Sequence, residues 1–207
     1  MQNAANLEFY IQHRKEERYL EYKCSMMWTG DDTTKVKVAK AMMAMSNLRN
    51  GGVIVIGMKE IPGGVWEPDG MSAQQVTSFS HDDIAQGVND YAVPAVQFTV
   101  TPFTSDKNQF VIIQVREFDS VPTVCRKQKS LGGGDALKLG AIYYRSNRKN
   151  ESAPISSEED MRELIGLALN KGVAREIERL RVLGLIPAFP TPQEDDASKY
   201  EQEREGQ

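Results

Sequence analysis

The chain has 207 residues, of which 40% are hydrophobic and 26% charged, with 25 Lys and Arg against 29 Asp and Glu. This is the composition of an ordinary globular protein, and it excludes collagen-like, wholly disordered and disulfide-scaffold classes. The length suits one hydrophobic core with a tail better than two complete cores. No unbroken apolar run, Val53-Ile54-Val55-Ile56 included, is long enough to span a bilayer, and the N-terminus lacks the apolar stretch of a secretory signal. A cytoplasmic protein with no membrane partner is expected. Cys24 and Cys125 have no metal-type spacing and are expected as free thiols.

Along the chain, residues 18–26 read as a strand in which Tyr19, Glu21 and Lys23 share one face and Leu20, Tyr22 and Cys24 the other. After the cap candidates Asp31, Asp32 and Thr33, Val38, Ala41, Met42, Met45 and Leu48 recur at helical spacing. The methionines in that stretch read as core filling. The helix ends at Asn50-Gly51-Gly52, and the run from Val53 to Ile56 has the length and β-branching of a buried strand. Residues 80–90 predict a short helix capped by Ser80, and residues 97–102 and 110–116 a strand hairpin. Short strands are expected around Thr123 and over 141–145. Between them, Gly132-Gly133-Gly134, flanked by Lys129 and Lys138, reads as a mobile surface loop. Ser156-Ser157-Glu158-Glu159 opens a helix with a stripe of Met161, Leu164, Ile165 and Ala168, and a further helix over 173–183 follows Gly172. The order of elements predicts an α+β fold with a mostly antiparallel sheet, flanking helices, a C-terminal helical hairpin and an acidic tail. The expected organisation is one domain over residues 1–170, a helix and turn over 171–190, and a flexible tail over 191–207, whose composition cannot offset its ordering entropy.

Charge is uneven. Up to Asn150 there are 18 basic and 16 acidic residues, and beyond it 7 and 13. The positive residues of the front part cluster as Lys35, Lys37 and Lys40, then Arg126, Lys127 and Lys129, with Lys138, and then Arg145, Arg148 and Lys149. These clusters suit a phosphate-attracting surface for RNA or DNA, although each taken alone also reads as ordinary solvated charge.

Several chemistries are excluded. Gly52 to Lys59 has the outline of a phosphate-binding loop, but strand residues fill it and no Ser or Thr follows the lysine. The glycine triplet lacks the flanking strand and helix of a dinucleotide fingerprint. His13 and His81, the only histidines, form no triad pattern. What remains is an acidic constellation: Glu16, Glu17 and Glu21 at or before the first strand, Lys23 on Glu21's face, and Glu60 beyond the Val53 to Ile56 strand. Such carboxylates can hold Mg²⁺ or Mn²⁺ beside a phosphodiester while Lys23 stabilises developing charge. The same residues also read as solvated charges near a strand start and a turn.

Four segments resemble the Schlafen AlbA-like domain family. They are Glu16 to Lys23 (E-E-R-Y-L-E-Y-K), Ala44-Met45-Ser46-Asn47 with Gly51-Gly52, Val53 to Glu60 (V-I-V-I-G-M-K-E), and Gly140 to Ser146 (G-A-I-Y-Y-R-S). Where the family has an Asp-Asp pair this chain has Lys59-Glu60. The resemblance implies nucleic-acid binding. In the family's ribonuclease members it also implies metal-dependent cleavage of structured RNA by three acids that match Glu16, Glu21 and Glu60. It further implies a homodimer, since nucleases of this type bring two such lobes together. The competing reading is a non-catalytic DNA-binding or regulatory module. A third makes residues 173–187, with Arg175, Arg179 and Arg181, a short DNA-reading helix and turn.

Overall fold

In the computed structural model, residues 4–28, 32–132, 134–148 and 150–186 are described. The chain runs through α1 (Ala4–Gln12), β1 (Leu20–Lys23), α2 (Asp32–Ser46), β2 (Gly52–Ile56), β3 (Met58–Ile61), β4 (Val65–Pro68), α3 (Ala73–Ser78) and α4 (His81–Asn89). It continues through β5 (Ala92–Val93), β6 (Phe98–Ser105), β7 (Asn108–Val115), β8 (Val124–Cys125), β9 (Lys129–Leu131), β10 (Gly134–Leu137), β11 (Tyr143–Arg145), β12 (Ser152–Pro154) and α5 (Glu158–Val182). Two compact units result, Met1–Leu169 and Asn170–Gln207. Among the described residues no helix is long and apolar enough to cross a membrane.

The apolar run of β2 reads as continuous because both of its faces are covered. β2 lies in a four-stranded sheet of order β1-β2-β7-β6, parallel to β1 and antiparallel to β7. Ile54 and Ile56, with Val111, Ile113 and Val115 of β7, pack against Val38, Ala39, Met42 and Met45 of α2. The alternate residues Val53, Val55, Phe110 and Ile112 pack with Leu7 and Ile11 of α1. The sheet is therefore a central layer between α1 and α2, and the methionines are core residues, as their spacing indicates. A third cluster joins Leu48, Phe118 and Tyr144 to Leu164 and Leu167 at the start of α5.

The turn from α2 to β2 requires its glycines. Gly51 has φ of 73°, and a Cβ there would lie 2.0 Å from the Val115 carbonyl oxygen, so no other residue fits. Asn47, just before the turn, is buried. Its amide donates to the Thr123 and Tyr143 carbonyls at 2.9 and 3.0 Å and accepts from the Thr123 N–H at 2.8 Å. It ties the end of α2 to two segments far along the chain.

The α+β architecture with a mostly antiparallel sheet is as expected, and Ser80 caps α4 by accepting from the Asp83 N–H. Two local expectations differ, and one further helix appears. Helix α5 continues through Gly172 to Val182 without the turn that a helical hairpin needs. Nothing crowds Gly172, and one glycine costs a helix only about 1 kcal/mol relative to Ala. The glycine-rich loop is instead the β9-β10 hairpin, with Gly134 opposite Leu131 and Asp135 opposite Ser130. The segment before β1 contributes α1, whose Leu7 and Ile11 have the i, i+4 spacing of a buried helix face. The acidic tail over 191–207 lies outside the described residues.

Candidate functional site

The charged centre begins on β1. Strand alternation puts Glu21 and Lys23 on one face, and Lys23 Nζ is 2.5 Å from Glu21 Oε1. The other Glu21 oxygen accepts from Nη1 of Arg145, which arrives on β11 and is only 1% exposed. Arg145 also donates from Nε to the Arg18 carbonyl at 2.8 Å and from Nη2 to the Glu17 carbonyl at 3.1 Å. Those two carbonyls belong to a tight bend in which Glu17 and Leu20 exchange two backbone hydrogen bonds. The contacts are reciprocal. Arg18 Nε donates to the Arg145 carbonyl at 2.6 Å, and its two terminal nitrogens donate to Glu163 of α5 at 3.0 and 2.8 Å. Arg18 Nη2 also donates to the Tyr144 hydroxyl at 2.7 Å.

Glu16 belongs to the same neighbourhood. Its Oε1 accepts from the Tyr22 N–H at 3.0 Å, and its own carbonyl accepts from Asn150 Nδ2 at 2.8 Å. Burial raises its carboxyl pKa above the ordinary value. The Tyr22 N–H opposes that rise, the Glu21 charge adds to it, and Arg145 and Lys23 partly offset it.

Glu60 is elsewhere. Gly57, at φ of 108°, separates β2 from β3, which pairs with β4 rather than with the central sheet. Glu60 is exposed on that hairpin, opposite Trp66. Among the described residues no group of three or more His, Cys, Asp or Glu side chains is disposed to hold a metal ion. Both oxygens of Glu21 already face cations, and one oxygen of Glu16 holds a backbone N–H. As arranged, Glu16, Glu21 and Glu60 do not fit Mg²⁺ or Mn²⁺, because a hard cation needs several carboxylate oxygens converging on one point.

The basic residues divide. Lys129 Nζ is 2.5 Å from Asp32 Oδ2, and the pair lowers the aspartate's pKa, with Lys35 nearby adding to the effect. Lys127 Nζ lies 3.8 Å from Asp90 Oδ2 and 5.6 Å from the centre of the Tyr91 ring, and Arg126 Nε donates to the Asp90 carbonyl at 3.3 Å. Trp28, Asp32, Lys35, Asp90 and Tyr91 line a cavity of about 310 Å³ here. Lys37 and Lys40 continue along α2, and Lys138 follows Leu137, which faces Lys129 across the β9-β10 hairpin. Two of the three sequence clusters thus meet.

The third cluster does not join them. Arg145 is buried with its guanidinium committed, so it presents nothing to a phosphate, contrary to the expectation from sequence. Arg148 is exposed and pairs with Glu159 at 3.2 Å, and Lys149 lies outside the described residues. Both faces of β11 are buried, with Tyr143 and Arg145 1% and Tyr144 3% exposed, so strand alternation gives no sign of the burial of Arg145. No local pattern marks Arg18, Tyr144 or Glu163, whose mutual contacts depend on long-range packing.

The family model described as Schlafen, AlbA_2 matches residues 16–154. A search of curated proteins finds no match. Among solved structures, the DIP2311 protein from Corynebacterium diphtheriae is similar at 14% identity and a TM-score of 0.45, over 70% of this chain. The chain spans 23% of that protein's length. The N-terminal domain of an ATP-dependent DNA helicase RecG-related protein from Nitrosomonas europaea is similar at 16% identity and a TM-score of 0.43, over 76% of this chain and 97% of that one. Residues 16–154 contain all four resembling segments, from the Glu16 to Lys23 stretch through the β11 arginine that engages Glu21, and on that match the chain belongs to the Schlafen AlbA_2 family.

Proposed function

We propose that this protein binds nucleic acid, with the phosphate backbone seated on Lys35, Lys37, Lys40, Arg126, Lys127 and Lys129. The observation that carries the reading is the meeting of Lys35, Arg126, Lys127 and Lys129, from separate segments, around Asp32, Asp90 and Tyr91. Positive groups that converge from several elements make a local phosphate site even on a chain whose overall charge is −4. Tyr91 adds a ring face beside Lys127 on which an unpaired base can stack. Asp32 and Asp90 hold the ammonium groups in place, and phosphates would take over those contacts. The family resemblance supports the same reading.

The test is fluorescence anisotropy of labelled single-stranded RNA, single-stranded DNA and duplex at several salt concentrations. It compares the protein with a K35A/K127A/K129A variant. The expected result is salt-dependent binding that the variant weakens. Binding that is absent at low salt, insensitive to salt, or unchanged in the variant would overturn the proposal.

Metal-assisted RNA cleavage, the sharper form implied by the resemblance, needs Glu16, Glu21 and Glu60 around one cation. As arranged, these three side chains form no such group among the described residues. RNA cleavage assayed with and without Mg²⁺ separates the two forms.

A further inference from the structure

The face of the central sheet covered by α1 contains an anomaly. Along β7, Phe110 and Ile112 point into the apolar cluster with Leu7 and Ile11, and the next residue on that face is Gln114. Gln114 lies on one rung with Val53 of β2 and Thr99 of β6. Its Oε1 is shielded from solvent and has no hydrogen-bond partner. Buried amide oxygens are rarely left this way, because the loss of hydration is uncompensated.

Gln114 lines a cavity of about 490 Å³, within the usual range for small-molecule sites. Tyr10 from α1 and Tyr19, just before β1, also line it; burial raises the Tyr10 pKa and Tyr19 adds to the rise. Arg49 and Arg116 stand at the cavity on exposed positions, and neither makes an ion pair among the described residues. The wall between them is the Asn50-Gly51-Gly52 turn. The Asn50 N–H donates to Glu117 Oε2 at 2.6 Å.

We propose that this cavity binds a phosphorylated nucleoside: the base lies against Tyr10 and Tyr19, the Gln114 amide turns its Oε1 out of the shielded position to accept an edge N–H, and the phosphate meets Arg49 and Arg116. The chemistry follows from the set. Phenol rings accept any base face, an unpartnered carbonyl requires a donor, and two guanidinium groups select a phosphate. The nucleotide can be free or part of a strand. The cavity lies on the α1 side of the sheet and shares no residue with the basic surface beside α2, so either proposal can fail alone. No phosphate-binding loop is involved and no hydrolysis is implied.

The experiment is calorimetric titration of the full chain at low salt with AMP, GMP, CMP and UMP, with the matching nucleosides, with inorganic phosphate, and with a short single-stranded oligonucleotide. At least one mononucleotide is expected to bind one to one, with affinity reduced roughly tenfold or more when the phosphate is removed. Q114L is expected to weaken binding about tenfold while keeping the fold, since Leu suits an apolar face. R49A/R116A changes only exposed side chains and is expected to abolish the preference for nucleotide over nucleoside.

If only the oligonucleotide binds, and both variants weaken it, the nucleotide comes from a strand. If mononucleotides bind with the same sensitivity, it is free. No binding of any nucleotide form, binding by inorganic phosphate as tight as by nucleotide, or affinities that neither variant changes would overturn the proposal.

Discussion

Arg145 and Glu21, 124 residues apart in sequence, are joined by a hydrogen-bonded ion pair whose guanidinium side is 1% exposed. The contact gives Glu21 a structural role. A carboxylate that neutralises a buried arginine maintains the bend at Glu17 and Arg18, and with it the start of β1.

Glu21→Gln is therefore expected to destabilise the protein by about 3 kcal/mol, because the buried guanidinium keeps its charge and loses its counter-charge. Urea unfolding measures this. Glu21→Gln combined with Arg145→Met is expected to lose less than the sum of the single changes, since the uncompensated charge is then gone. A Glu21→Gln protein as stable as the parent would contradict the structural role.

Glu16→Gln is expected to stabilise the fold at neutral pH. The amide oxygen still accepts from the Tyr22 N–H, while the buried charge and its repulsion with Glu21 disappear. Glu16's folded pKa lies above its unfolded value, so its ionised form disfavours folding at every pH above the folded pKa. The advantage of Gln is complete there. It fades as pH falls through the folded pKa and vanishes below the ordinary carboxylate value of 4.5. Thermal melts of both proteins across that window check the sign, and an advantage that grew on acidification would refute it.

Asn47→Ala removes three hydrogen bonds from a site with no water access, leaving the Thr123 N–H and two carbonyls unpaired. A loss of roughly 2–4 kcal/mol is expected. A lowered urea midpoint with an unchanged slope would locate the effect in the folded state.

Each phosphate contact removed from the basic surface is expected to flatten the plot of log affinity against log salt by about 0.7–0.9. Lys35→Ala, Lys127→Ala and Lys129→Ala, examined singly with one RNA, read this directly. Arg148→Ala, beside Glu159 and away from that surface, is expected to leave the slope unchanged. The opposite ranking would move the site.

Glu60→Gln is expected to leave RNA binding and stability unchanged, with or without Mg²⁺, because Glu60 is an exposed hairpin residue that forms no metal-holding group with Glu16 and Glu21 among the described residues. Mg²⁺-dependent cleavage that Glu60→Gln abolishes would mean that RNA binding brings the three carboxylates together.

Local periodicity carries information only about a residue and its near neighbours. On that basis the pattern of residues by itself determined that Glu21 and Lys23 share a face, that the α2 methionines fill the core, that Ser80 caps a helix and that Val53 to Ile56 is a buried strand. It also determined the family, because the four resembling segments are contiguous stretches. The α+β class followed from the order of these elements.

Only the tertiary structure decided which distant group meets each charge. Lys129 finds Asp32 and Lys127 finds Asp90 through packing that no sequence period encodes. Arg145, read from composition as a surface cation, is drawn inward because the Glu17 and Arg18 carbonyls and the Glu21 carboxylate supply the acceptors that make its burial tolerable. Glu60 follows the Val53 to Ile56 strand directly, yet the turn at Gly57 carries it into another sheet. The physical reason is common to all three. The energy of a charge depends on its solvent exposure and its partners, and both are set by strand pairing and helix packing across long separations in the chain.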